Sequence, residues 1–246
     1  VLDKLELRAV AEQARLVAES ERLGRALLNS ISHELRTPLA ASTSAAAALA
    51  EDPSLSAGPR AALVEEIQEA NGRLNRIVGN LLDVSRLEAG QVRVRSDWHD
   101  ARDLVRAAVS DVSRALADHP VQVATGRTPL LAQLDFQLMR QALANLLHNA
   151  AVHTPAGTPI VVEAATEPGA LVMTVADEGP GLDRELLPHI FEKFRRGASA
   201  PTGGSGLGLA IVRGFVDAQG GSIAAGNRPE PSVSSSARMS PPHPAR

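Results

Sequence analysis

The apolar positions in the first part of the chain recur every three or four residues, which is the period of an amphipathic helix. The residues from Leu2 to about Ala50 are rich in Leu, Ala, Glu and Arg, and no proline precedes Pro38. This composition predicts one long helix, because most of these residue types have high helix propensity. Its apolar stripe includes Leu28, Ile31, Leu35 and Leu39.

A second helix is predicted after residues 51–59, whose prolines, serines and glycine favour a turn. Its apolar positions alternate steps of four and three, as in the seam of a coiled coil or helical bundle. They are Leu63, Ile67, Ala70, Leu74, Ile77, Leu81 and Val84. Two helices joined by a short turn form an antiparallel hairpin, which by itself leaves apolar surface exposed. We therefore expect a second copy to complete a four-helix bundle in a homodimer.

The pattern changes after Gly90, a residue type that often ends a helix. Alternation predicts strands at residues 91–95, 121–124, 130–134, 158–165, 171–176 and 222–225, with a turn at 167–169. Helices are predicted at 101–117, at 207–218, and from a cap at Asp135 to about Val152. This mixed order predicts an α/β sandwich, with helices layered on one sheet. The expected fold class is therefore α+β and multidomain, a helical hairpin followed by that sandwich.

The same change of pattern predicts the domain organisation. We expect a linker helix at residues 1–24, a hairpin domain at 25–90, a second domain at 91–228 and a disordered tail at 229–246. The tail is rich in prolines, which cannot donate to a sheet ladder, and Val233 and Met239 are nearly its only sizeable apolar side chains. The sheet is thus expected to lack a closing strand. We also expect the second domain to have a lower melting temperature than the hairpin domain.

Composition excludes several classes of function. The chain has 246 residues, a net charge of −3 and no cysteine. The charge gives no electrostatic reason to expect contact with nucleic acid or with an anionic membrane. The lack of cysteine excludes disulfides, thiolate zinc sites and thiol catalysis. No apolar run approaches the roughly 20 residues of a membrane-spanning helix, and the charged N-terminal residues are not typical of a signal peptide. We expect a cytoplasmic protein, with any membrane anchor outside this chain.

The first candidate for chemistry is the segment 32–39, SHELRTPL, which places His33 beside Glu34 on the first helix. A neutral imidazole is a nucleophile, and an adjacent carboxylate can orient it and accept its proton during attack on phosphorus. Thr37 lies one turn further along the same face and can position a water molecule. For His33 considered alone, an ordinary surface histidine is the alternative.

A second group of candidates lies in the segment 145–155, NLLHNAAVHTP. Asn145 and Asn149 are four residues apart and therefore share one face of a helix. The side-chain oxygen of Asn149 suits Mg²⁺, a hard cation usually shared with nucleotide phosphates. For a single asparagine, a core or capping role is the alternative.

Two glycine-rich segments complete the candidate site. In Asp177-Glu-Gly-Pro-Gly-Leu182, an aspartate at a strand end can accept a hydrogen bond from the amino group of adenine, while Gly179 and Gly181 let the backbone approach the base. The segment 203–209, GGSGLGL, opens a helix and can present bare N–H groups to phosphates. Its candidate residues are Gly204, Gly206, Leu207 and Gly208.

Between the two glycine segments, residues 190–194, IFEKF, are followed by Arg195. Phe191 and Phe194 can anchor a mobile lid over the nucleotide. The alternative for both phenylalanines is simple packing in the core.

Taken in order, these five segments resemble the H, N, first glycine, F and second glycine boxes of the sensor histidine kinases of two-component systems. The resemblance spans Ser32 to about Gly221, and residues 22–33 further resemble the KdpD-type potassium-responsive kinases. It implies a dimerisation and phosphoacceptor domain, followed by an ATP-binding domain of the GHKL type whose ATP lid is anchored by the F box.

The resemblance also implies roles for individual residues. The chain would use ATP and Mg²⁺ to phosphorylate His33, with Glu34 as the base and Asn149 as the magnesium ligand. The family often has a basic residue where Val152 stands, so phosphate contacts there would fall to His153. The phosphoryl group would pass to an aspartate of a response regulator, and Thr37 would help to dephosphorylate that regulator.

Two other functions stay open. A GHKL-type ATPase, as in chaperones or type II topoisomerases, would share the nucleotide pocket but use a carboxylate to activate water, where this chain has Asn145, His148 and Asn149. A degenerate kinase would act as a dimeric signalling scaffold. The intact His33, Asn149 and Asp177 argue against the scaffold, whereas the atypical C-terminus mildly favours it.

Overall fold

The structure is a computed structural model that describes residues 31–126, 128–167, 169–195, 206–227 and 233–239. The chain divides into two compact units, Val1–Gly79 and Asn80–Arg246. The first part of the long helix predicted from Leu2 to about Ala50, residues 2–30, lies outside the described residues. The predicted domain boundaries stay predictions.

In the part of the first unit that the structure describes, residues 31–79, the chain forms two helices. Helix α1 covers residues 31–51, and α2, Ala57–Glu88, extends from the first unit into the second. In the turn between them, Asp52 Oδ1 accepts hydrogen bonds from the backbone N–H of Ser54 at 2.9 Å and from its hydroxyl at 2.5 Å. These bonds to Ser54 lower the pKa of the Asp52 carboxyl.

The predicted seam of α2 faces inward in the structure. Each of its seven positions is buried or half-buried, whereas Val64, Val78 and Leu82, which lie outside the seam, are exposed. On α1, Ala45 is buried and Leu39 is exposed. The heptad pattern therefore predicted the buried face of α2 correctly. The helix ends as predicted at Glu88, where Gly90 adopts φ 61° and the N–H of Gln91 reaches back to the carbonyl of Arg86 at 2.9 Å.

The second unit contains seven strands and three further helices among its described residues. The strands are β1 (Asp97–Asp100), β2 (Val121–Ala124), β3 (Leu131–Leu134), β4 (Ile160–Glu167), β5 (Ala170–Asp177), β6 (Ser222–Asn227) and β7 (Val233–Met239). The helices are α3 (Ala101–Asp111), α4 (Phe136–His153) and α5 (Gly208–Ala218), and a 3₁₀ turn covers Leu187–His189.

Five strands form the main sheet in the order β2-β4-β5-β7-β6. The β2–β4 pair is parallel and the other pairs are antiparallel, while β1 and β3 form a separate antiparallel ribbon. The apolar faces of the helices pack with the inner face of the sheet. Fully buried residues from both layers include Leu104, Leu147, Ile160, Val162, Met173, Ile211 and Phe215. The predicted α/β sandwich is confirmed.

Two predicted elements differ from the structure. Residues 91–95 are not a strand, because no strand pairs with them; the N–H of Arg95 instead donates to Asp135 Oδ2 at 2.8 Å, and β1 begins two residues later. The helix predicted at 101–117 ends at Asp111. Beyond it, i−3 hydrogen bonds interrupt the i−4 ladder, such as the bond from Ser113 N–H to Ser110 O at 3.3 Å.

The prediction of a disordered tail and a missing last strand is wrong for Val233–Met239. This segment is β7, and it pairs with β5 on one side and β6 on the other. The physical reason is that a central strand is held by its backbone hydrogen bonds, and the prolines of the tail all lie outside these seven residues. The expected low melting of the second domain depended on the missing strand and loses its basis.

Among the described residues, no helix is both long enough and apolar enough to cross a bilayer.

Candidate functional site

The candidate phosphoacceptor lies near the start of the described part of α1. His33 is exposed, whereas its neighbour Glu34 is buried. The helix continues through Pro38, which has no N–H to offer the carbonyl four residues earlier. The Thr37 hydroxyl donates to the carbonyl oxygen of His33 at 3.3 Å. The structure thus joins Thr37 to His33 through the backbone of one helical turn and presents the imidazole to solvent.

Helix α4 positions the two asparagines. Asp135 caps the helix as predicted, since its Oδ1 accepts from the N–H groups of Gln137 at 3.0 Å and Leu138 at 3.1 Å. Asn145 and Asn149 are both half-buried. In the described part of the chain, the buried Nδ2 of Asn145 has no hydrogen-bond acceptor. A buried amide donor without an acceptor suits an anionic or polar ligand.

The first glycine segment begins where β5 ends, at the buried Asp177. Asp177 Oδ1 accepts from the N–H of Gly179 at 2.9 Å. A Cβ placed on Gly179 would lie 2.6 Å from Thr154 Cγ2 and 2.7 Å from Asp177 Oδ1. A side chain here would force Thr154 or Asp177 to shift, and the short distances show that Thr154 lies close to the candidate adenine-binding carboxylate.

The far end of the same segment is held by a residue that the sequence did not indicate. Asn227 Oδ1 accepts from the N–H of Leu182 at 2.8 Å, and its Nδ2 donates to the Leu182 carbonyl at 2.7 Å. Gly181 has φ 83°, and a Cβ there would lie 3.4 Å from Asn227 Oδ1. No local pattern marks Asn227, which ends a strand 45 residues beyond Leu182.

The second glycine segment meets the phenylalanine segment and α4. Phe194 has φ 64°, and its N–H donates to the carbonyl of Gly206 at 2.9 Å. A Cβ on Gly206 would lie 2.9 Å from Phe194 Cα, so this position also requires glycine. A Cβ on Gly208 would lie 3.9 Å from Asn149 Oδ1. The structure therefore brings Asn149 beside the start of α5, while Gly204 lies outside the described residues.

The charged side chains around the phenylalanine segment are engaged with one another. Glu192 accepts from His189 Nδ1 at 2.6 Å and from Arg195 Nε at 2.8 Å, and these two partners lower the pKa of the Glu192 carboxyl. Lys193 Nζ pairs with Glu88 Oε1 at 2.6 Å. Of the predicted residues here, Phe194 packs against the core, Phe191 is half-buried, and Leu207 is fully buried.

The remaining predictions for the site concern a metal ion and the second phosphate contact, His153. Among the described residues, no group of three or more His, Asp or Glu side chains is arranged to hold a metal ion. His153, predicted to contact phosphate, is exposed at the end of α4.

Two family models match this chain. Residues 25–90 match the His Kinase A (phospho-acceptor) domain, and residues 134–244 match the histidine kinase-, DNA gyrase B- and HSP90-like ATPase family. The described part of the first match contains the hairpin, and the second match contains the helix and loops of the candidate nucleotide site.

Individual proteins are also similar. The chain is 36% identical over 230 residues to the sensor protein KdpD of Escherichia coli strain K12, covering 93% of this chain and 26% of that protein. It is 35% identical over 235 residues to the probable sensor histidine kinase TcrY of Mycobacterium tuberculosis strain H37Rv, with 93% and 47% covered. A crystal structure of full-length ShkA in complex with AMPPNP is similar with a TM-score of 0.62 and 27% identity, over 86% of this chain and 45% of that one. The chain thus spans about a quarter to a half of the relatives' own length.

Proposed function

We propose, from the premise that this chain belongs to the histidine kinase family, that it transfers the terminal phosphoryl group of ATP to His33. The observation that carries the proposal is the convergence of motifs that are far apart in sequence. Asn149 lies beside Gly208, and Thr154 and Asp177 both contact the position of Gly179. The same chain carries an exposed histidine in the phosphoacceptor segment.

The nucleotide site fits ATP through three features of its own residues. Asp177 offers a carboxylate at the end of a buried strand for the adenine amino group, and the glycine at 179 leaves room for the backbone to approach the base. Gly206 and Gly208 open α5, where free N–H groups favour phosphate. The buried Nδ2 of Asn145 is a donor that a ligand oxygen can satisfy. ShkA, a structural relative, binds the ATP analogue AMPPNP.

Asn149 is the proposed magnesium ligand, through Oδ1, with the remaining ligands supplied by phosphates and water. A bound Mg²⁺ would neutralise charge on the phosphates, which is a large part of catalysis in phosphoryl transfer. Phe191 and Phe194 are proposed to anchor the lid over the nucleotide, and Arg195 and His153 to contact phosphate.

The chemistry at His33 follows from the family and from the residues around it. A neutral imidazole nitrogen forms the N–P bond while the bond from phosphorus to the ADP oxygen breaks, and the proton on the other ring nitrogen passes to the Glu34 carboxylate. We propose that Thr37 orients a water molecule for a second reaction, hydrolysis of a partner's phosphoaspartate. We propose that this partner is the receiver domain of a response regulator.

A homodimer is part of the proposal. The first unit exposes Leu39, Val64 and Val78 on its helices. A second copy packed against the hairpin would bury such surface, as expected for a domain whose family places the phosphoacceptor in a four-helix bundle.

Incubation with ATP radiolabelled at the γ-position tests the proposal. The wild-type chain should acquire an acid-labile, base-stable label, and His33→Gln should lose it completely while keeping its fold by circular dichroism. His243→Gln, a histidine near the C-terminus, serves as the matched control and should label like wild type. An ATPase of the GHKL type would release phosphate without labelling the protein, and a scaffold would do neither, so either result would exclude the kinase.

A further inference from the structure

The loop that carries the first glycine segment is fixed at both ends by side chains. At its start, Asp177 Oδ1 accepts from the N–H of Gly179 at 2.9 Å. At its end, Asn227 bonds both the N–H and the carbonyl of Leu182, at 2.8 and 2.7 Å. A side-chain amide can accept a bond from the N–H of a residue and donate one to its carbonyl. Two such bonds together fix both the position and the orientation of that residue's backbone.

Asn227 is also in register with the nucleotide-binding carboxylate. It lies opposite Val233 in the β6–β7 pair, and Val233 lies opposite Asp177 in the β5–β7 pair. Asp177, Val233 and Asn227 therefore lie side by side on three neighbouring strands. At the usual strand spacing, Asn227 is about 10 Å from Asp177. The loop 178–182 spans this distance along the sheet edge and is attached at each side.

The space between the two attachments leaves the loop little freedom. Gly181 adopts φ 83°, and a Cβ there would approach Asn227 Oδ1 to 3.4 Å, while a Cβ on Gly179 would lie 2.6 Å from Thr154 Cγ2 and 2.7 Å from Asp177 Oδ1. Pro180, between them, has its own φ fixed by its ring. The backbone proposed to face the adenine base is thus held by Asn227 at the one end that Asp177 does not reach.

We infer that Asn227 is a positioning residue for adenine recognition: through its double hydrogen bond to Leu182, it holds the loop 178–182 in the shape that receives the base. This inference rests on the proposed nucleotide site. Asn227 itself need not touch the nucleotide, because it acts through the Leu182 backbone. The expected consequence is a loss of affinity and of base selectivity, with little change in the chemical step once nucleotide is bound.

The test compares Mg-ATP and Mg-GTP binding by calorimetry, together with the ATP dependence of autophosphorylation, for the whole chain and three variants. Asn227→Ala removes both hydrogen bonds and should weaken ATP binding by about tenfold, since two neutral hydrogen bonds support the loop. GTP binding should change less, so the preference for ATP should fall. The autophosphorylation rate at saturating ATP should stay within about twofold of wild type. The variant should thus raise KM for ATP while leaving kcat nearly unchanged.

Asn227→Asp keeps one acceptor but turns an oxygen towards the Leu182 carbonyl, so it should lose at least as much ATP affinity as alanine. If Asn227→Ala does not fold, the comparison of ATP and GTP binding is made with Asn227→Asp instead. Ser222→Ala, at the opposite and equally exposed end of β6, is the matched control and should bind like wild type.

Unchanged ATP affinity and selectivity in a folded Asn227 variant would overturn the inference. An equal loss of ATP and GTP binding would also overturn it, because it would show a general weakening of the domain rather than a role at the base. If the wild-type chain itself failed to bind ATP, the proposed function would fall as well, and that outcome is distinguishable from the other two.

Discussion

Gly179 occupies a position where one methyl group would collide with two neighbours at once. The nearest atoms to a Cβ there are Thr154 Cγ2 at 2.6 Å and Asp177 Oδ1 at 2.7 Å. The first belongs to the residue that follows α4, and the second to the proposed adenine ligand. A side chain at this position would therefore disturb stability and nucleotide recognition through different contacts, which separate variants can distinguish.

Gly179→Ala should lower ATP affinity by roughly tenfold or more, because overpacking costs about 1–3 kcal/mol and the Asp177 carboxylate is one of the groups that must move. Adding Thr154→Ser removes the Cγ2 contact alone, so it should recover part of the lost stability but not the ATP affinity. Calorimetry and thermal melting check both statements, with Gly72→Ala as the control, where a Cβ meets nothing within 4 Å. Wild-type affinity in Gly179→Ala would contradict the assigned role of Asp177.

Thr37 is expected to separate kinase from phosphatase chemistry. Thr37→Ala should keep more than about half of the autophosphorylation rate, because the lost bond to the His33 carbonyl is a weak local one at 3.3 Å. It should lose most of the dephosphorylation of a phosphorylated regulator. Thr43→Ala is a matched control, because the Thr43 hydroxyl makes the same kind of bond, to the Leu39 carbonyl at 2.8 Å. An unchanged dephosphorylation rate would remove Thr37 from the mechanism.

At the scale of elements, the last residues of α2 pack within the second unit, which also contains the main sheet. Val84 is buried in the core of that unit, and a Cβ on Gly214 of α5 would lie 2.6 Å from the side chain of Leu87. Asp83 accepts a short hydrogen bond from Gln141 of the asparagine-bearing helix, and Glu88 pairs with Lys193. These residues therefore contact α4, α5 and Lys193 of the segment 190–194 together.

Asp83 gives this contact a pH dependence. Burial raises the pKa of its carboxyl, against the opposing effects of Gln141 and Arg86. Because the folded state holds the proton more tightly than the unfolded state, ionisation of Asp83 destabilises the fold as pH rises from the unfolded value of 3.8 through the higher folded one. Asp83→Asn keeps an acceptor for Gln141 without the charge, so it should be more stable than wild type at pH 7, and this advantage should vanish near pH 3.8.

Urea unfolding between pH 4 and 7.5 measures this difference. Arg86→Ala is a control whose effect on stability has the opposite sign. Arg86 lies 4.0 Å from Asp83 and favours its charged form, so its removal should lower the free energy of unfolding at pH 7. An Asp83→Asn variant less stable than wild type at pH 7, or an advantage independent of pH, would show that the charge of Asp83 does not oppose folding.

At the scale of the whole molecule, β7 determines whether the main sheet is continuous. It lies between β5, which ends in Asp177, and β6, which ends in Asn227. Ser235 is in register with Val175 on one side and Ala225 on the other. Loss of β7 would therefore separate the two strands that fix the loop 178–182 and would affect the nucleotide site as well as stability.

Ser235→Pro should lower the free energy of unfolding by about 2–3 kcal/mol, since proline removes a ladder hydrogen bond and does not fit a central strand. For a chain of this size that is roughly 5–10 °C in melting temperature. ATP affinity should fall with it. Ser240→Pro, just beyond the strand, should leave both unchanged. A wild-type melting temperature for Ser235→Pro would return residues 233–239 to the disordered tail that the sequence predicts.

The sequence by itself determined the features that depend on neighbouring residues. The period of the apolar positions located α2 and its buried face, Asp135 marked the start of α4, and Gly90 marked the end of α2, because helix periodicity and caps act over one or two turns. The sequence also predicted strands at 121–124 and 130–134, where the structure has β2 and, one residue shorter, β3. The motifs likewise indicated Asn149, Asp177 and the glycines before any contact between them was known.

Only the tertiary structure decided the features that join distant parts of the chain. Asn227 binds Leu182 across 45 residues, Gln141 binds Asp83 across 58, and Lys193 binds Glu88 across 105. The strand Val233–Met239 shows the same limit, because its place in the sheet depends on backbone hydrogen bonds to β5 and β6, which its serine-rich side chains do not signal. Periodicity and composition describe what a segment prefers alone, whereas these pairings depend on which backbone and side-chain groups the fold brings within hydrogen-bonding distance.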